Sequence, residues 1–234
     1  MFEEIYNNLF ADGLYIYLLD GLKVTLLVSI ISLAISFFLG LGLALIKTSK
    51  NDLNPSWSDP KGFFLNLLDK VANLFITIIR GTPTTIQLLI MFNVILVNLD
   101  NLIIVAIVTF SLNSAAYMSE VIRGGLLSVD KGEIEAARSL GLSYGQTLAK
   151  VSLPQAIRKA LPALGNEVIT LLKETSITGF IGLADLTRGA SIIISKTFKA
   201  SIPYFAAALI YLLIVIGIEQ IFKKLERRMN HVRS

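Results

Sequence analysis

Residues 24–46 read VTLLVSIISLAISFFLGLGLALI, a stretch of 23 residues without a charged side chain. A helix needs about 20 mostly apolar residues to cross the hydrocarbon core of a bilayer. A helix on the surface of a soluble protein would carry a polar face, and this stretch has only scattered serine and glycine residues. The stretch therefore predicts a transmembrane helix, and it decides the fold class.

The composition of the whole chain agrees with a membrane location. Of its 234 residues, 54% are hydrophobic and 16% are charged, whereas a soluble domain carries about 25% charged residues. The net charge of +4 comes from Lys and Arg residues that flank apolar stretches, which is typical of membrane proteins and not of nucleic-acid-binding surfaces. The chain has no Cys and one His, His231 in the basic tail. This excludes disulfides and leaves too few ligands to predict a metal site.

The apolar stretches predict an all-α polytopic membrane protein with about five transmembrane helices in a single domain over residues 1–234. The second stretch is apolar except for Arg80, Gly81 and Pro83. Because proline lacks an N–H and clashes with the preceding turn, we expect a kink or break there. Residues 47–62, which are rich in turn formers, and residues 185–201 are predicted to be loops. The predicted spans are about 22–46, 64–98, 101–122, 161–184 and 202–221.

Basic residues set the predicted orientation. Lys and Arg collect after the first span, after the third span and in the C-terminal tail, and five spans would put these three regions on one side. Cytoplasmic loops carry the excess of Lys and Arg. We therefore expect a multi-pass plasma-membrane protein with its N-terminus outside and its C-terminus in the cytoplasm. Arg188, Lys196 and Lys199 in the outer segment run against this trend.

The predicted cytoplasmic segment 130–160 reads DKGEIEAARSLGLSYGQTLAKVSLPQAIRKA. Asp130 can cap the start of a helix, with Glu133 as its reciprocal partner. Gly141 tolerates the left-handed conformation that ends a helix. These signals predict a first short helix over 131–140.

A second short helix is predicted to follow a sharp turn. Ser143 can cap its start, with Gln146 in the reciprocal position, and Pro154 disfavours helical geometry at Leu153. From the residues alone two interpretations are open. Either this hairpin only joins two spans, or its small side chains let a partner protein dock closely.

The same segment resembles a known family. Glu135-Ala136-Ala137, then Gly141, then Leu153-Pro154 resemble the EAA loop of importer permeases of the ATP-binding-cassette (ABC) class. The resemblance implies that the two short helices sit in a groove of a separate ATPase subunit and transmit its opening and closing. These six residues would then make the coupling contact.

Three further segments resemble the polar amino-acid permeases of the histidine, glutamine and arginine type, and the likeness runs from about residue 20 to 228. They are Arg80-Gly81-Thr82-Pro83 with Gln87, Asn113-Ser114-Ala115-Ala116-Tyr117 with Glu120 and Arg123-Gly124-Gly125, and Lys173-Glu174-Thr175-Ser176.

The resemblance implies a transport subunit that is not itself an enzyme and that moves polar amino acids delivered by an extracytoplasmic binding protein. Its other partners would be ABC ATPase subunits, which bind ATP and Mg²⁺, a second permease subunit in a homodimer or heterodimer, and the lipid bilayer. An external energy source agrees with the absence of a G-x-x-x-x-G-K-[ST] phosphate loop from the sequence. No cofactor, metal or nucleic acid is expected in this chain. Arginine, glutamine, histidine and cystine are all open as the substrate.

Charged side chains inside apolar stretches are costly, so they face the protein interior or a wet cavity. Arg80 either binds a substrate carboxylate as a fork or pairs with Glu120, Glu167 or Glu174 as a structural bridge. Polar residues of the third span fall near one stripe of a helix, which either lines a pathway or joins helices.

A zwitterionic amino acid needs donors for its carboxylate and acceptors for its ammonium group. Lys173 and Ser176 are candidates for the first task and Glu174 for the second. Neighbouring residues of one helix do not face each other, so both charges reach one ligand only if the helix breaks there. The open alternative is mutual neutralisation, or a lysine that reaches to the membrane surface. The predicted pathway residues are Arg80, Thr82, Gln87, Asn113, Tyr117, Glu120, Lys173, Glu174 and Ser176.

Two other classes of function are possible for a chain of this kind. A secondary carrier or channel for small polar solutes would work without the docking loop. A membrane enzyme acting on lipid would need an acid–base or metal constellation, and the sequence has none.

Overall fold

The computed structural model describes residues 6–230, and every regular element within that range is helical. A short π-helical turn, Tyr6–Phe10, and a 3-10 turn, Ala11–Gly13, come first. In chain order the helices are then α1 Tyr15–Leu53, α2 Pro60–Gly81, α3 Thr84–Ile90, α4 Leu102–Leu127, α5 Lys131–Ser139, α6 Tyr144–Thr147, α7 Leu153–Glu174, α8 Leu186–Thr197 and α9 Ser201–Asn230. Wide π-turns continue α3 over Met91–Ile95 and α6 over Leu148–Ser152, and a 3-10 helix, Thr175–Ile181, follows α7.

Four of these helices, α1, α2, α4 and α9, are long and apolar enough to cross a membrane. The helical stretch Tyr144–Ile181 and α8 form a pair with a bend of 48°, and this pair taken together is a fifth candidate span. The predicted all-α membrane fold with about five spans is therefore confirmed.

The second predicted span is not one helix. Helix α2 starts at Pro60 and ends at Gly81, and α3 starts at Thr84 after Pro83, which is extended at ψ 137°. The proline ring would clash with the carbonyl of Ile79, and it offers no N–H to continue the helix. The break predicted at Gly81 and Pro83 is confirmed, and it divides the predicted span of about 64–98 into two helices.

Two segments predicted to be loops are largely helical. Helix α1 continues to Leu53 and ends where Asn54 takes a positive φ of 40°, so only residues 54–59 connect it to α2. Residues 186–197 form α8, whose start is capped by Asp185 through the N–H groups of Thr187 and Arg188 at 3.1 and 3.0 Å. The polar composition of both segments suggested loops, but tertiary packing and one good cap favour helix.

Residue contacts divide the described chain into two compact units, each built from three segments. The first unit runs to Ala34 and includes Thr82–Ser111 and Val168–Glu219, and the second unit comprises Ile35–Gly81, Leu112–Glu167 and the chain from Gln220. The expectation of a single domain over residues 1–234 stays a prediction.

Each unit has its own apolar core. In the first unit Leu88, Val105, Phe110 and Leu171 are at most 1% exposed. A second cluster in that unit includes Leu186, Ala190 and Ile193 of α8.

The core of the second unit lies where α4 and α7 meet. It contains Ile122, Ala156 and Ala160. A Cβ atom on Gly125 would lie 2.5 Å from the carbonyl oxygen of Ala156. The two helices therefore approach backbone to backbone at this glycine, which positions the hairpin that follows α4.

Candidate functional site

The hairpin begins with a capped helix, as predicted. The Asp130 carboxylate accepts a hydrogen bond from the Gly132 N–H at 2.7 Å, and α5 starts at the next residue, Lys131. The reciprocal bond expected from Glu133 is replaced by another contact, because the Glu133 carboxylate accepts a hydrogen bond from the Gln155 amide. Glu133 thus ties α5 to α7 and does not complete a capping box.

Gly141 ends α5 in the conformation that the sequence predicts. Its φ is +87°. The Gly141 N–H donates to the Arg138 carbonyl at 3.0 Å, and the Leu142 N–H donates to the Ala137 carbonyl at 3.2 Å. This pair of bonds is the Schellman motif, which requires a left-handed residue at its centre. The turn between the two helices is therefore held by hydrogen bonds that depend on residue 141.

The second helix also starts as predicted. The Gln146 N–H donates to the Ser143 hydroxyl at 3.4 Å, and the Ser143 N–H donates to the Gln146 side-chain oxygen at 2.9 Å. Both halves of the capping box are present. The predicted hairpin of helix, turn and helix is confirmed.

The prediction that Pro154 breaks helical geometry at Leu153 is wrong. Leu153 is helical at φ −64° and ψ −45°, and α6 runs through a π-turn directly into α7. The Leu153 N–H bonds to the Leu148 carbonyl, five residues back. This wider turn changes the position of the Lys150 carbonyl, with which the proline ring would otherwise clash.

The two alanines of the EAA segment face opposite ways. Ala137 is 7% exposed and packs inward, whereas Glu135 and Ala136 are exposed. Leu140, which the sequence reading did not single out, is 82% exposed. Gly141 and Pro154 are exposed and Leu153 is half-buried.

A side-chain contact ties the hairpin to α1. The Tyr144 hydroxyl donates to the Asp52 carboxylate at 2.9 Å and lies 3.4 Å from the Ser49 hydroxyl. Beside this contact lies a cavity of about 410 Å³, whose lining includes Lys131, Glu135 and Asp52. Because α1 is 39 residues long, Tyr144 joins the short helices to the longest element of the chain.

Glu120 on α4 is surrounded by cations. Its carboxylate accepts hydrogen bonds from the Arg123 guanidinium at 2.7 and 3.4 Å and from the Lys47 ammonium at 3.1 Å. The Arg80 guanidinium lies 3.9 Å away. We call Lys47, Arg80, Glu120 and Arg123 the Glu120 cluster. It brings together two predicted pathway residues, Arg80 and Glu120, and adds two that the sequence reading did not select.

Arg80 lies at the end of α2, directly before the predicted break. It is the penultimate residue of α2, its side chain is 45% exposed, and its guanidinium stands over the Tyr117 ring at 5.6 Å. Of the three carboxylates considered as partners, Arg80 approaches Glu120. Glu167 instead accepts a hydrogen bond from Ser114 at 2.8 Å, and Glu174 accepts one from Thr84 at 3.3 Å.

Three other predicted pathway residues lie at the helix break or are buried in a helix. The Gln87 amide donates to the Thr82 hydroxyl at 2.8 Å and to its carbonyl at 3.1 Å, so these two residues hold the corner after the break. Asn113 is 2% exposed inside α4. Within residues 6–230, no group of three or more His, Cys, Asp or Glu is placed to hold a metal ion, and His231 lies outside the described residues.

Lys173, Glu174 and Ser176 stand where the helix type changes. Helix α7 ends at Glu174 and continues as a 3-10 helix from Thr175, so the helix changes its type here but does not break. Lys173 is exposed and forms no ion pair with a residue between 6 and 230, so mutual neutralisation with Glu174 is not seen.

A sequence signal existed for one of the two members of the Glu120 cluster that the sequence did not predict. Arg123 is three residues after Glu120, a spacing at which opposite charges meet on a helix. Lys47 lies in a polar segment that predicts a loop, and no local signal places it on α1, which continues to Leu53.

Comparisons with known proteins agree on one family. Residues 62–231 match the family described as "Binding-protein-dependent transport system inner membrane component". The glutamine transport system permease protein GlnP of Escherichia coli (strain K12) is 37% identical over 217 residues, which cover 91% of this chain and 93% of that protein. The arginine transport system permease protein ArtQ of Bacillus subtilis (strain 168) is 36% identical over 219 residues, covering 92% and 93%.

A solved structure matches the fold as well. The crystal structure of an amino acid ABC transporter with histidines superposes with a TM-score of 0.78 at 37% identity, covering 91% of this chain and 94% of that chain. The family match extends over most of the sequence and includes the hairpin and the Glu120 cluster apart from Lys47. This chain therefore belongs to the family of binding-protein-dependent transport system inner membrane components.

Proposed function

We propose that this chain is the membrane-spanning subunit of an ATP-driven importer for polar amino acids. The observation that carries the proposal is the hairpin of α5 and α6, whose ends are capped and whose turn is closed by two backbone hydrogen bonds at Gly141. A connection held in this way is stiff enough to transmit a movement of a partner protein to the helices that it joins. Family membership and the names of the relatives, which are glutamine and arginine permeases, support the assignment of a polar amino acid.

In this proposal the exposed side of the hairpin docks into a separate ABC ATPase subunit, which binds ATP and Mg²⁺. Glu135, Ala136 and Leu140 make the contact, because they are exposed. Complete burial of a leucine side chain contributes about 2 kcal/mol, so Leu140 is the strongest apolar anchor. Gly141 shapes the turn, and Ala137 packs the hairpin against its own unit.

The remaining EAA positions act through the second helix. Leu153 and Pro154 stand at the junction where α6 becomes α7. We assign them the task of keeping this junction stiff, so that motion of the hairpin reaches α7.

The proposed pathway uses the polar residues around the helix breaks. Arg80 binds the substrate carboxylate, since its side chain is the most exposed of the Glu120 cluster. Tyr117 holds the guanidinium by its ring. Lys173, Glu174 and Ser176 at the end of α7 offer both signs of charge to a zwitterion.

Four candidates have supporting roles in this proposal. Glu120 balances charge, Asn113 packs helices because it is buried, and Thr82 with Gln87 keeps the corner after α2 in shape.

The proposed assembly places the hairpin and the C-terminus in the cytoplasm and the N-terminus outside, on the basis of the loop charges. A second permease subunit, identical or homologous, completes the pathway. An extracytoplasmic binding protein delivers the amino acid.

The experiment is uptake into proteoliposomes. The chain is co-expressed with its ATPase and any partner permease, reconstituted, and supplied with the binding protein and radiolabelled L-glutamine, L-arginine, L-histidine or L-cystine. We expect uptake of at least one of these amino acids only when ATP is enclosed with the ATPase.

The matched control is the permease reconstituted without the ATPase. Equal uptake in that control would support the alternative, a secondary carrier or channel for small polar solutes. A complex that hydrolyses ATP but moves none of the four amino acids would contradict the proposed substrate class.

A further inference from the structure

Only two of the three cations in the Glu120 cluster form hydrogen bonds with the Glu120 carboxylate. A carboxylate has two oxygens that accept hydrogen bonds of about 2.7–3.2 Å from N–H groups. Arg123 reaches Oε2 at 2.7 Å and Oε1 at 3.4 Å, and Lys47 reaches Oε1 at 3.1 Å, while Arg80 stays at 3.9 Å from Oε2. Glu120 is therefore occupied by two cations, and the third is left at a distance too long for a hydrogen bond.

The charge of the cluster is also uneven. One carboxylate faces three cations, so the group carries a net charge of +2 beside a membrane-spanning helix. Unpaired charge at such a site is costly and is usually kept for a function. The side chain of Arg80 is 45% exposed, against 16% for Lys47 and 29% for Arg123. An anion would therefore meet Arg80 first.

Arg80 has more N–H donor groups than its contacts use. A guanidinium carries five N–H groups in a planar fork. Within residues 6–230 its only ion-pair and ring contacts are the long approach to Glu120 and the Tyr117 ring, which takes a face of the guanidinium and not its N–H groups. The fork matches the two oxygens of a carboxylate.

From these contacts we infer that Lys47 and Arg123 are positioning residues: by occupying Glu120 they keep the Arg80 fork open for the α-carboxylate of the transported amino acid. If one of them is removed, Glu120 loses a competing cation and draws Arg80 into an internal ion pair. The substrate carboxylate then has to compete with Glu120. This inference rests on the proposed function and explains how one site selects an acid group.

The test measures binding to the assembled complex in nanodiscs without the binding protein. The probes are radiolabelled L-arginine and L-glutamine, compared with L-argininamide and L-glutaminamide. The amides keep the ammonium group and the side chain but have no anionic carboxylate. Any effect that passes through Arg80 must therefore change the affinity of the acids and spare the amides.

The main variant is Lys47→Met, with Lys47→Arg as the conservative replacement and Lys50→Met as the matched control on the same helix. We expect Lys47→Met to weaken binding of the acid about fivefold, the upper range for a partly exposed ion pair, and to leave the amide unchanged. Lys47→Arg should restore acid binding, and Lys50→Met should have no effect.

If Lys47→Met does not assemble, Arg123→Lys serves in its place. It keeps the charge but loses the fork that holds Glu120, and it should weaken acid binding in the same direction. Equal loss for acid and amide, or unchanged acid binding in an assembled variant, would overturn the inference and leave the proposed function intact. Wild-type complex that binds neither amino acid and shows no ATP-driven uptake would refute both.

Discussion

Replacing Gly141 by valine should uncouple ATP hydrolysis from transport. The residue has a φ of +87°, and an added Cβ would meet no atom within 4 Å. The cost of the substitution therefore comes from the backbone and not from a collision. A left-handed conformation costs an ordinary residue about 1–2 kcal/mol, and a β-branched residue there is an outlier.

This strain energy is similar in size to the free energy that the hydrogen bonds of the turn contribute. The turn is held by two backbone hydrogen bonds, from Gly141 to Arg138 and from Leu142 to Ala137, and each contributes about 0.5–1.5 kcal/mol net. With valine at position 141 the closed turn loses most of its advantage over open forms. We expect the amount of amino acid transported per ATP hydrolysed to fall about twofold or more.

The assay compares ATP hydrolysis and amino-acid uptake in the same proteoliposomes. Gly145→Val is the matched control, because Gly145 lies in α6 and an added Cβ there also meets nothing within 4 Å. Gly141→Asn should fall between wild type and valine, since asparagine tolerates the left-handed conformation better. If Gly141→Val assembles and transports as many amino acids per ATP as Gly145→Val does, the coupling role of the turn is refuted.

Three further outcomes follow from single contacts. Gly125→Ala should destabilise the chain by roughly 1–3 kcal/mol, because the added Cβ would lie 2.5 Å from a backbone oxygen. Gly124→Ala is the control and should not destabilise the chain, because its Cβ meets nothing within 4 Å. Thermal unfolding of the purified complex compares the two variants. Tyr144→Phe removes the hydrogen bond to Asp52 and keeps the ring. The amount of amino acid transported per ATP should therefore fall, while the complex still assembles. An equal ratio in wild type and variant would contradict a role of this contact in coupling ATP hydrolysis to transport. Asp185→Ala removes the cap of α8 and should lower stability by about 1–2 kcal/mol; an unchanged unfolding temperature would count against the cap.

The parts of the fold that the sequence predicted are those governed by local chemistry. Residues 24–46 identify a membrane helix without any tertiary information. The hairpin was predictable because Asp130, Ser143 with Gln146, and Gly141 each act within a few residues of their own position. The break after Gly81 followed from proline geometry in the same way.

The errors arose where tertiary contacts outweigh local preference. The polar residues 47–53 predict a loop, yet they continue α1 and are joined to the hairpin through Asp52 and Tyr144. Pro154 predicts a departure from helical geometry at Leu153, but a π-turn before it relieves the clash. Neither effect is visible in a window of a few residues.

The candidate site was predictable as a set of residue types but not as a set of contacts. The sequence placed Arg80, Tyr117 and Glu120 among the pathway residues, and they lie close together. It could not show that Lys47 and Arg123 occupy Glu120 and leave Arg80 with a long contact. Which cation pairs with Glu120 depends on differences of about 1 Å between the distances from Lys47, Arg80 and Arg123 to its carboxylate.

The central claim is that the hairpin is the contact through which a separate ATPase drives this chain. Cysteine cross-linking in the assembled complex tests it most directly, because the chain has no cysteine of its own. We predict that Ala136→Cys, at an exposed position, cross-links to the ATPase subunit, and that Ala137→Cys, at a position 7% exposed, does not. A complex that takes up amino acids while Ala136→Cys never cross-links to a nucleotide-hydrolysing subunit would contradict the claim.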